Sequence, residues 1–230
     1  MASKNYHFVQ QKEIQALNQF FQSEKSSIYS FGYKVNQTFE AYIFASVIKW
    51  YQNKGWIIKY NHPLGSNGGK YFELKFSTRG APNNYSYVIG EKDGEVIQIH
   101  HQLRIETKYH KINRKYSANI CCDVAVIKET EDVGFYKTDD AVDNSRLLSF
   151  GEAKHMSAFA ELIAGFVGLV HELRPDRLRR IRVRKYQNDH LPPFLFVSGI
   201  LYATAKGLDE SISKRKFDVD IYSFDRKMNS

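Results

Sequence analysis

The chain has 230 residues, enough for one large domain or for one domain with a short extension. Hydrophobic residues make up 43% of it and charged residues 25%, a balance that excludes an intrinsically disordered tail. Its first residues are polar, and no apolar run approaches the roughly 18 residues that a membrane span needs. We therefore expect neither a signal peptide nor a membrane partner.

The net charge is +8 and the isoelectric point is about 9.3. Such a charge favours a polyanionic partner, but it also serves solubility alone, and the two interpretations stay open. Aromatic residues reach 14%, which is compatible with base stacking, although a large core or an interface explains such a content more commonly.

The two cysteines, Cys121 and Cys122, are neighbours in one apolar segment. Neighbouring residues of a strand face opposite sides, so an ordinary disulfide between them is not expected. No zinc-binding spacing is present. These features predict a reduced, cytoplasmic protein.

Hydrophobic periodicity predicts the elements in chain order. An amphipathic helix is predicted over residues 8–21, followed by a loop over residues 23–33 and a better-defined helix over residues 36–52. The period of two then predicts strands over residues 56–60, 71–76, 85–89 and 96–109, and the Asp93-Gly94 pair predicts a hairpin. The remaining elements are strands over residues 120–127 and 147–154, a helix over 157–173, a strand over 194–201, a helix over 203–216 and a strand over 218–224.

One carboxylate lies at an unexpected position in the second predicted helix. Projected at about 100° per residue, Glu40 falls near the centre of the apolar face. One interpretation is a residue at the rim of this face that reaches water or pairs with a basic residue. The other is a carboxylate directed at a functional site.

The strongest candidate site lies on the strands over residues 120–127 and 147–154. Glu152 and Lys154 are two residues apart and therefore share a face of their strand, and Asp123 can join them if the two strands pair. Charged groups near a core are costly unless they are paired or bind a metal. The least strained explanation is a hard cation held by the carboxylates with the lysine beside it, and the alternative is a structural ion-pair cluster at a sheet edge.

The Glu-x-Lys tripeptide alone carries little information. It occurs over residues 73–75, 106–108 and 152–154, whereas ordinary composition predicts roughly one copy in a chain of this size. The third copy alone has an Asp inside an upstream apolar strand and a helix directly after it. The sequence context therefore favours residues 152–154 as the functional copy of the tripeptide.

Together these elements resemble the core of the PD-(D/E)XK nuclease superfamily, in which the order is helix, three strands, helix, strand. The resemblance covers residues 36–201. It implies an α/β restriction-endonuclease-like core with a central mixed β-sheet flanked by helices. Residues 36–230 would form the nuclease domain and residues 1–35 an N-terminal helical extension. Two departures stand out: Cys122 rather than a proline precedes Asp123, and the acidic connection over residues 129–143 could supply another carboxylate.

The resemblance implies a metal-dependent nuclease with Asp123, Glu152 and Lys154 as catalytic residues. Glu40, Asp123 and Glu152 would bind Mg²⁺, for which Mn²⁺ could substitute, and Lys154 would position the attacking water and stabilise charge on the phosphate. Double-stranded DNA is the expected partner. The chain itself could act within a homo-oligomer or a larger complex. The alternatives are a nucleic-acid-binding protein on the same fold that does not cut, and an assembly subunit that uses its aromatic surface for protein contacts.

A basic segment follows the predicted helix that leaves the Glu152 strand. Arg180, Arg182 and Arg184 alternate with apolar residues, and Lys185 follows them. This pattern predicts a strand with one arginine face suited to phosphate contacts, although a solvated edge strand would show the same alternation. The Pro175-Asp176 turn could also cap a short helix in this segment. His155, directly after Lys154, is a candidate phosphate contact or a solvated histidine at the start of a helix.

Overall fold

The computed structural model describes residues 10–23, 27–28, 35–62, 71–78, 80–109, 118–129, 141–179 and 190–223. The helices are α1 (Gln10–Ser23), α2 (Val35–Asn53), α3 (Ala160–Leu173) and α4 (Ala203–Arg215). The strands are β1 (Ser27–Ile28), β2 (Ile57–Asn61), β3 (Tyr71–Phe72), β4 (Tyr87–Lys92), β5 (Glu95–Glu106), β6 (Asn119–Lys128), β7 (Leu147–Lys154), β8 (Phe194–Val197) and β9 (Asp220–Tyr222). Within these ranges no helix is both long and apolar enough to cross a bilayer.

Seven strands form one mixed sheet in the order β2-β4-β5-β6-β7-β8-β9. Neighbouring strands are antiparallel from β2 to β7, and β7, β8 and β9 are parallel. The short strands β1 and β3 make a separate parallel pair. The expectation of an α/β fold with a central mixed sheet flanked by helices is confirmed.

Two hydrophobic cores cover the two faces of the sheet. One contains the apolar face of α2, with Phe39, Ile43 and Val47, and Leu17 of α1 belongs to it as well. The other is formed by α3 and α4, with Ile163 and Phe166 among its buried residues. Leu17 therefore packs the described part of α1 onto the core beneath α2, and the extension expected over residues 1–35 stays a prediction.

Most predicted elements are present, and the differences have local causes. The strand predicted over residues 71–76 ends at Phe72, and Glu73 instead exchanges hydrogen bonds with Ser86 through its backbone. The helix predicted from residue 157 begins at Ala160, since Ala158 forms a strand bridge with Leu201. The predicted hairpin is confirmed by the left-handed backbone at Asp93 and Gly94, with φ of 51° and 83°.

The arrangement of β6 and β7 creates an opening in the sheet. Their ladder runs to the pair Val124–Gly151, after which β7 continues beside β8. The next residue on each strand past this pair carries a carboxylate, Asp123 on β6 and Glu152 on β7. The two strands therefore part at the candidate site, and we call the opening the strand fork.

We predict that Gly151→Ala destabilises the protein by about 1–3 kcal/mol, the usual cost of overpacking. A Cβ at this position would lie 2.0 Å from Cζ of Phe194, whose ring is buried in the core. Urea unfolding measures the loss.

Gly165→Ala is the matched control, because its Cβ would meet no atom within 4 Å. Helix propensity should make this variant more stable by roughly 0.5–1 kcal/mol. Equal stability of Gly151→Ala and the wild type would contradict the close packing of β7 against β8.

Candidate active site

Three of the predicted residues meet in the strand fork. Lys154 Nζ lies 2.8 Å from Asp123 Oδ2 and 2.8 Å from Glu152 Oε2. The backbone N–H of Ala153 donates to Asp123 Oδ2 at 2.9 Å, so the Asp123 side chain takes the place of a ladder hydrogen bond where the strands part. One ammonium thus bridges two carboxylates from neighbouring strands.

Glu40 reaches the same site from α2. Nε2 of Gln102 donates to Glu40 Oε2 at 3.0 Å and to Asp123 Oδ1 at 3.3 Å. The Glu40 side chain keeps 19% of its exposure, so it stands at the edge of the apolar face and points toward the strand fork. Glu40 thus lies both at the rim of the apolar face and close to Asp123, and its role at the site stays a prediction.

Crowding of these carboxyl groups changes their acidity. Burial, with the nearby charge of Asp123, raises the pKa of Glu40 to about 7. The same two causes raise the pKa of Glu152 to about 7, against the opposing effect of Lys154. Burial by itself would lower the pKa of Lys154, but Glu152 and Asp123 outweigh it and raise that pKa above its ordinary value. The lysine is therefore charged, and the carboxyl groups compete for one positive charge.

A divalent cation would relieve this competition. Oε1 of Glu152 is buried without a hydrogen-bond partner, so its capacity as an acceptor is unused. Carboxylate oxygens are the ligands that Mg²⁺ prefers, and Mg²⁺ usually takes one or two carboxylates together with waters and phosphate oxygens. The residues of the strand fork fit such an ion.

The protein side chains do not form a complete ligand cage. In the described ranges, no group of three or more His, Cys, Asp or Glu side chains is arranged to hold a metal ion. A Mg²⁺ ion at this position would take its remaining ligands from water or from other oxygen groups.

Three further residues, which the sequence did not identify as candidates, border the site. Nδ1 of His101 lies 2.6 Å from the carbonyl oxygen of Lys75, so Nδ1 carries the proton and Nε2 faces Glu40 Oε2 at 3.6 Å. Burial lowers the pKa of His101 to about 4, so this histidine is neutral. Lys75 is only 3% exposed, and its Nζ donates to the carbonyl oxygen of Gln102 at 2.8 Å.

One sequence signal could have identified part of this group. His100, His101 and Gln102 form a polar run inside an otherwise apolar strand, and all three are buried. Lys75 belongs to the first Glu-x-Lys tripeptide, which has no Asp upstream of it in the sequence. It borders the site nonetheless, whereas Lys108 of the second tripeptide is exposed.

His155 packs against α2, and its position differs from a solvated residue at the start of a helix. It is half-buried, five residues before α3 begins, and its ring centroid lies 6.0 Å from that of Phe39. A role in phosphate binding stays a prediction. The predicted arginine face, with Arg180, Arg182, Arg184 and Lys185, lies outside the described residues.

Comparison of the chain with protein-family models, with curated proteins and with solved structures finds no match.

We predict that Glu40→Gln stabilises the metal-free protein at pH 8 and has little effect at pH 5. The folded-state pKa of about 7 exceeds the ordinary value of 4.5, so folding disfavours the charged form of Glu40. Stability is therefore lost as the pH rises from about 4.5 through 7, and a neutral glutamine avoids this loss. At about 1.4 kcal/mol per pKa unit the gain at pH 8 is on the order of 1–3 kcal/mol.

Urea unfolding in EDTA at the two pH values measures the difference. Equal effects of Glu40→Gln at pH 5 and at pH 8 would show that burial and the charge of Asp123 do not raise the pKa of Glu40.

Proposed function

We propose that the chain is a Mg²⁺-dependent nuclease with a restriction-endonuclease-like core that hydrolyses phosphodiester bonds of DNA. The observation that carries the proposal is the Lys154 ammonium, 2.8 Å from carboxylate oxygens of both Asp123 and Glu152. A nuclease of this type needs carboxylates that can bind a cation beside a lysine, and the contacts of Lys154 with Asp123 and Glu152 support the proposal.

The order of elements supports the same proposal. Helix α2, strands β5, β6 and β7, helix α3 and strand β8 follow one another in the order of the PD-(D/E)XK core. The three strands are neighbours in the sheet, and Glu40, Asp123 and Glu152 are contributed by α2, β6 and β7 respectively. Each side chain thus comes from the element on which the resemblance places it.

Each residue has a definite part in phosphodiester hydrolysis. Asp123 and Glu152 would hold Mg²⁺, which when bound polarises the phosphate and lowers the pKa of bound water. An ammonium group has three donors, and Asp123 and Glu152 use two of those of Lys154. The third is available to orient the attacking water or to stabilise charge on a phosphate oxygen. Glu40 adds negative charge beside Asp123 and thereby strengthens cation binding.

The choice of DNA rests on charge and on the completeness of the site. The net charge of +8 favours a polyanion, and double-stranded DNA is the form that we propose. Mn²⁺ should substitute for Mg²⁺, since carboxylate and water ligands suit both ions. A nucleic-acid-binding protein that does not cut would have no need to keep two buried carboxylates and a lysine together.

One observation favours a second function, that of an assembly subunit. Phe159 and Tyr202 remain 51% and 43% exposed, and their rings stack at 4.6 Å. Met156 is exposed in the same β7–α3 connection as Phe159, and Ile200 in the same β8–α4 connection as Tyr202. Such an aromatic surface suits contact with another protein chain.

We predict that Glu152→Ala or Lys154→Ala lowers the cleavage rate at least about 100-fold, because each removes charge that stabilises the transition state. Supercoiled plasmid, linear duplex DNA and single-stranded RNA, each with Mg²⁺ and with EDTA, are the substrates. Lys108→Ala is the control, because Lys108 belongs to another Glu-x-Lys tripeptide and is exposed. This variant should cut at the wild-type rate.

The outcomes separate the candidate functions. Cleavage by Glu152→Ala and Lys154→Ala at the wild-type rate would place the active site elsewhere. Duplex binding without cleavage by the wild type would identify a binding protein. A wild type that neither binds nor cuts, and that loses self-association when Phe159 and Tyr202 are replaced by serine, would favour the assembly subunit.

A further inference from the structure

Gln102 has an unusual backbone for a residue within a strand. Its φ is +56°, in the left-handed region that side chains other than glycine seldom adopt. Among the described residues, the other non-glycine positions with positive φ are Asp93, in the β4–β5 turn, and Lys216, at the end of α4. Those two end elements, whereas Gln102 lies within β5.

The left-handed residue reverses the alternation of β5. Ile97 and Ile99 belong to the core under α2, whereas Leu103 and Ile105 belong to the core under α3 and α4. In a regular strand these odd-numbered residues would all face one side. The strand therefore changes face at Gln102.

Strand β6 changes face at the same level. Val124 and Val126 lie in the first core, whereas Cys122 lies in the second. The ladder pairs His101 with Val124 and Leu103 with Cys122, so Gln102 stands opposite Asp123. The reversal thus coincides with the candidate site.

The reversal brings two consecutive side chains to one carboxylate. Gln102 Nε2 and His101 Nε2 lie 3.0 Å and 3.6 Å from the same oxygen, Glu40 Oε2. Neighbouring residues of a regular strand would point to opposite faces. Because the Gln102 amide also donates to Asp123 Oδ1, one side chain joins a carboxylate on α2 to a carboxylate on β6.

Groups outside the site hold this arrangement. Lys75 Nζ donates to the carbonyl oxygen of Gln102, and His101 Nδ1 donates to the carbonyl oxygen of Lys75. The thiol of Cys121 donates to Gln102 Oε1 at 3.4 Å, which directs the amide nitrogen toward the carboxylates. Both the backbone and the amide of Gln102 are therefore fixed by neighbours.

We propose that Gln102 is a positioning residue that holds Glu40 and Asp123 in the geometry that binds the divalent cation. The inference rests on the proposed function, because it assigns the role toward the cation of that site. Its left-handed backbone places the amide between the carboxylates, and Lys75 holds that backbone in place.

The variant Gln102→Gly distinguishes the contribution of the side-chain amide from that of the backbone conformation. Glycine adopts positive φ readily, so the variant keeps the left-handed conformation and loses only the amide. We expect its affinity for Mn²⁺, measured by isothermal titration calorimetry on the full chain, to fall about 10–100-fold, the usual effect of removing a group that orients metal ligands. Its melting temperature in EDTA should remain near that of the wild type.

Lys216→Gly is the matched control, since it places glycine at another left-handed position, at the end of α4 and outside the strand fork. It should bind Mn²⁺ like the wild type. Asp123→Asn should abolish binding and thereby locate the ion. Wild-type Mn²⁺ affinity in Gln102→Gly would overturn the positioning role while leaving the proposed function intact. Failure of the wild type itself to bind Mn²⁺ would overturn both.

Discussion

The crowding of carboxyl groups around one ammonium is the interaction on which the rest of the site depends. Asp123 and Glu152 both contact Lys154, and Glu40 stands on the other side of Asp123. Burial and mutual repulsion hold the pKa of Glu40 and of Glu152 near 7. A charge cluster of this kind is costly in a folded protein, and the divalent cation that we propose would offset that cost.

The carboxyl groups are crowded because the regular sheet is interrupted at neighbouring positions of β5, β6 and β7. The ladder between β6 and β7 ends at Val124–Gly151, which leaves Asp123 and Glu152 facing an opening. At the same level Gln102 turns β5 to the other face. The left-handed residue of β5 thus lies next to the carboxylates of the site, as is common where backbone strain serves function.

The sequence predicted the parts of the site that follow from local periodicity. The shared face of Glu152 and Lys154 follows from their spacing, and the position of Glu40 on the apolar face follows from helical periodicity, which left its direction open. The alternation of apolar residues likewise predicted the strands and helices that carry them. Local pattern was therefore enough for the catalytic candidates and for the α/β class.

Tertiary contacts decide the remaining features. The meeting of Asp123 with Glu152 depends on a register that shifts at Val126/Ile127, and no local signal specifies such a shift. A left-handed glutamine has no sequence signature, because turn chemistry predicts this conformation for glycine, asparagine and aspartate. Lys75 lies 27 residues before the Gln102 carbonyl that it contacts. Contacts of this kind follow from the fold as a whole.

The proposed nuclease requires a divalent cation in the strand fork between Asp123 and Glu152. Crystals soaked in Mn²⁺ and measured at a wavelength where manganese scatters anomalously test it most directly. The predicted result is an anomalous peak about 2.1–2.2 Å from a carboxylate oxygen of each residue, as expected for a small hard cation. Full soaking with no peak in the fork, and with Lys154 still bridging both carboxylates, would contradict the claim and leave a structural ion-pair cluster in its place.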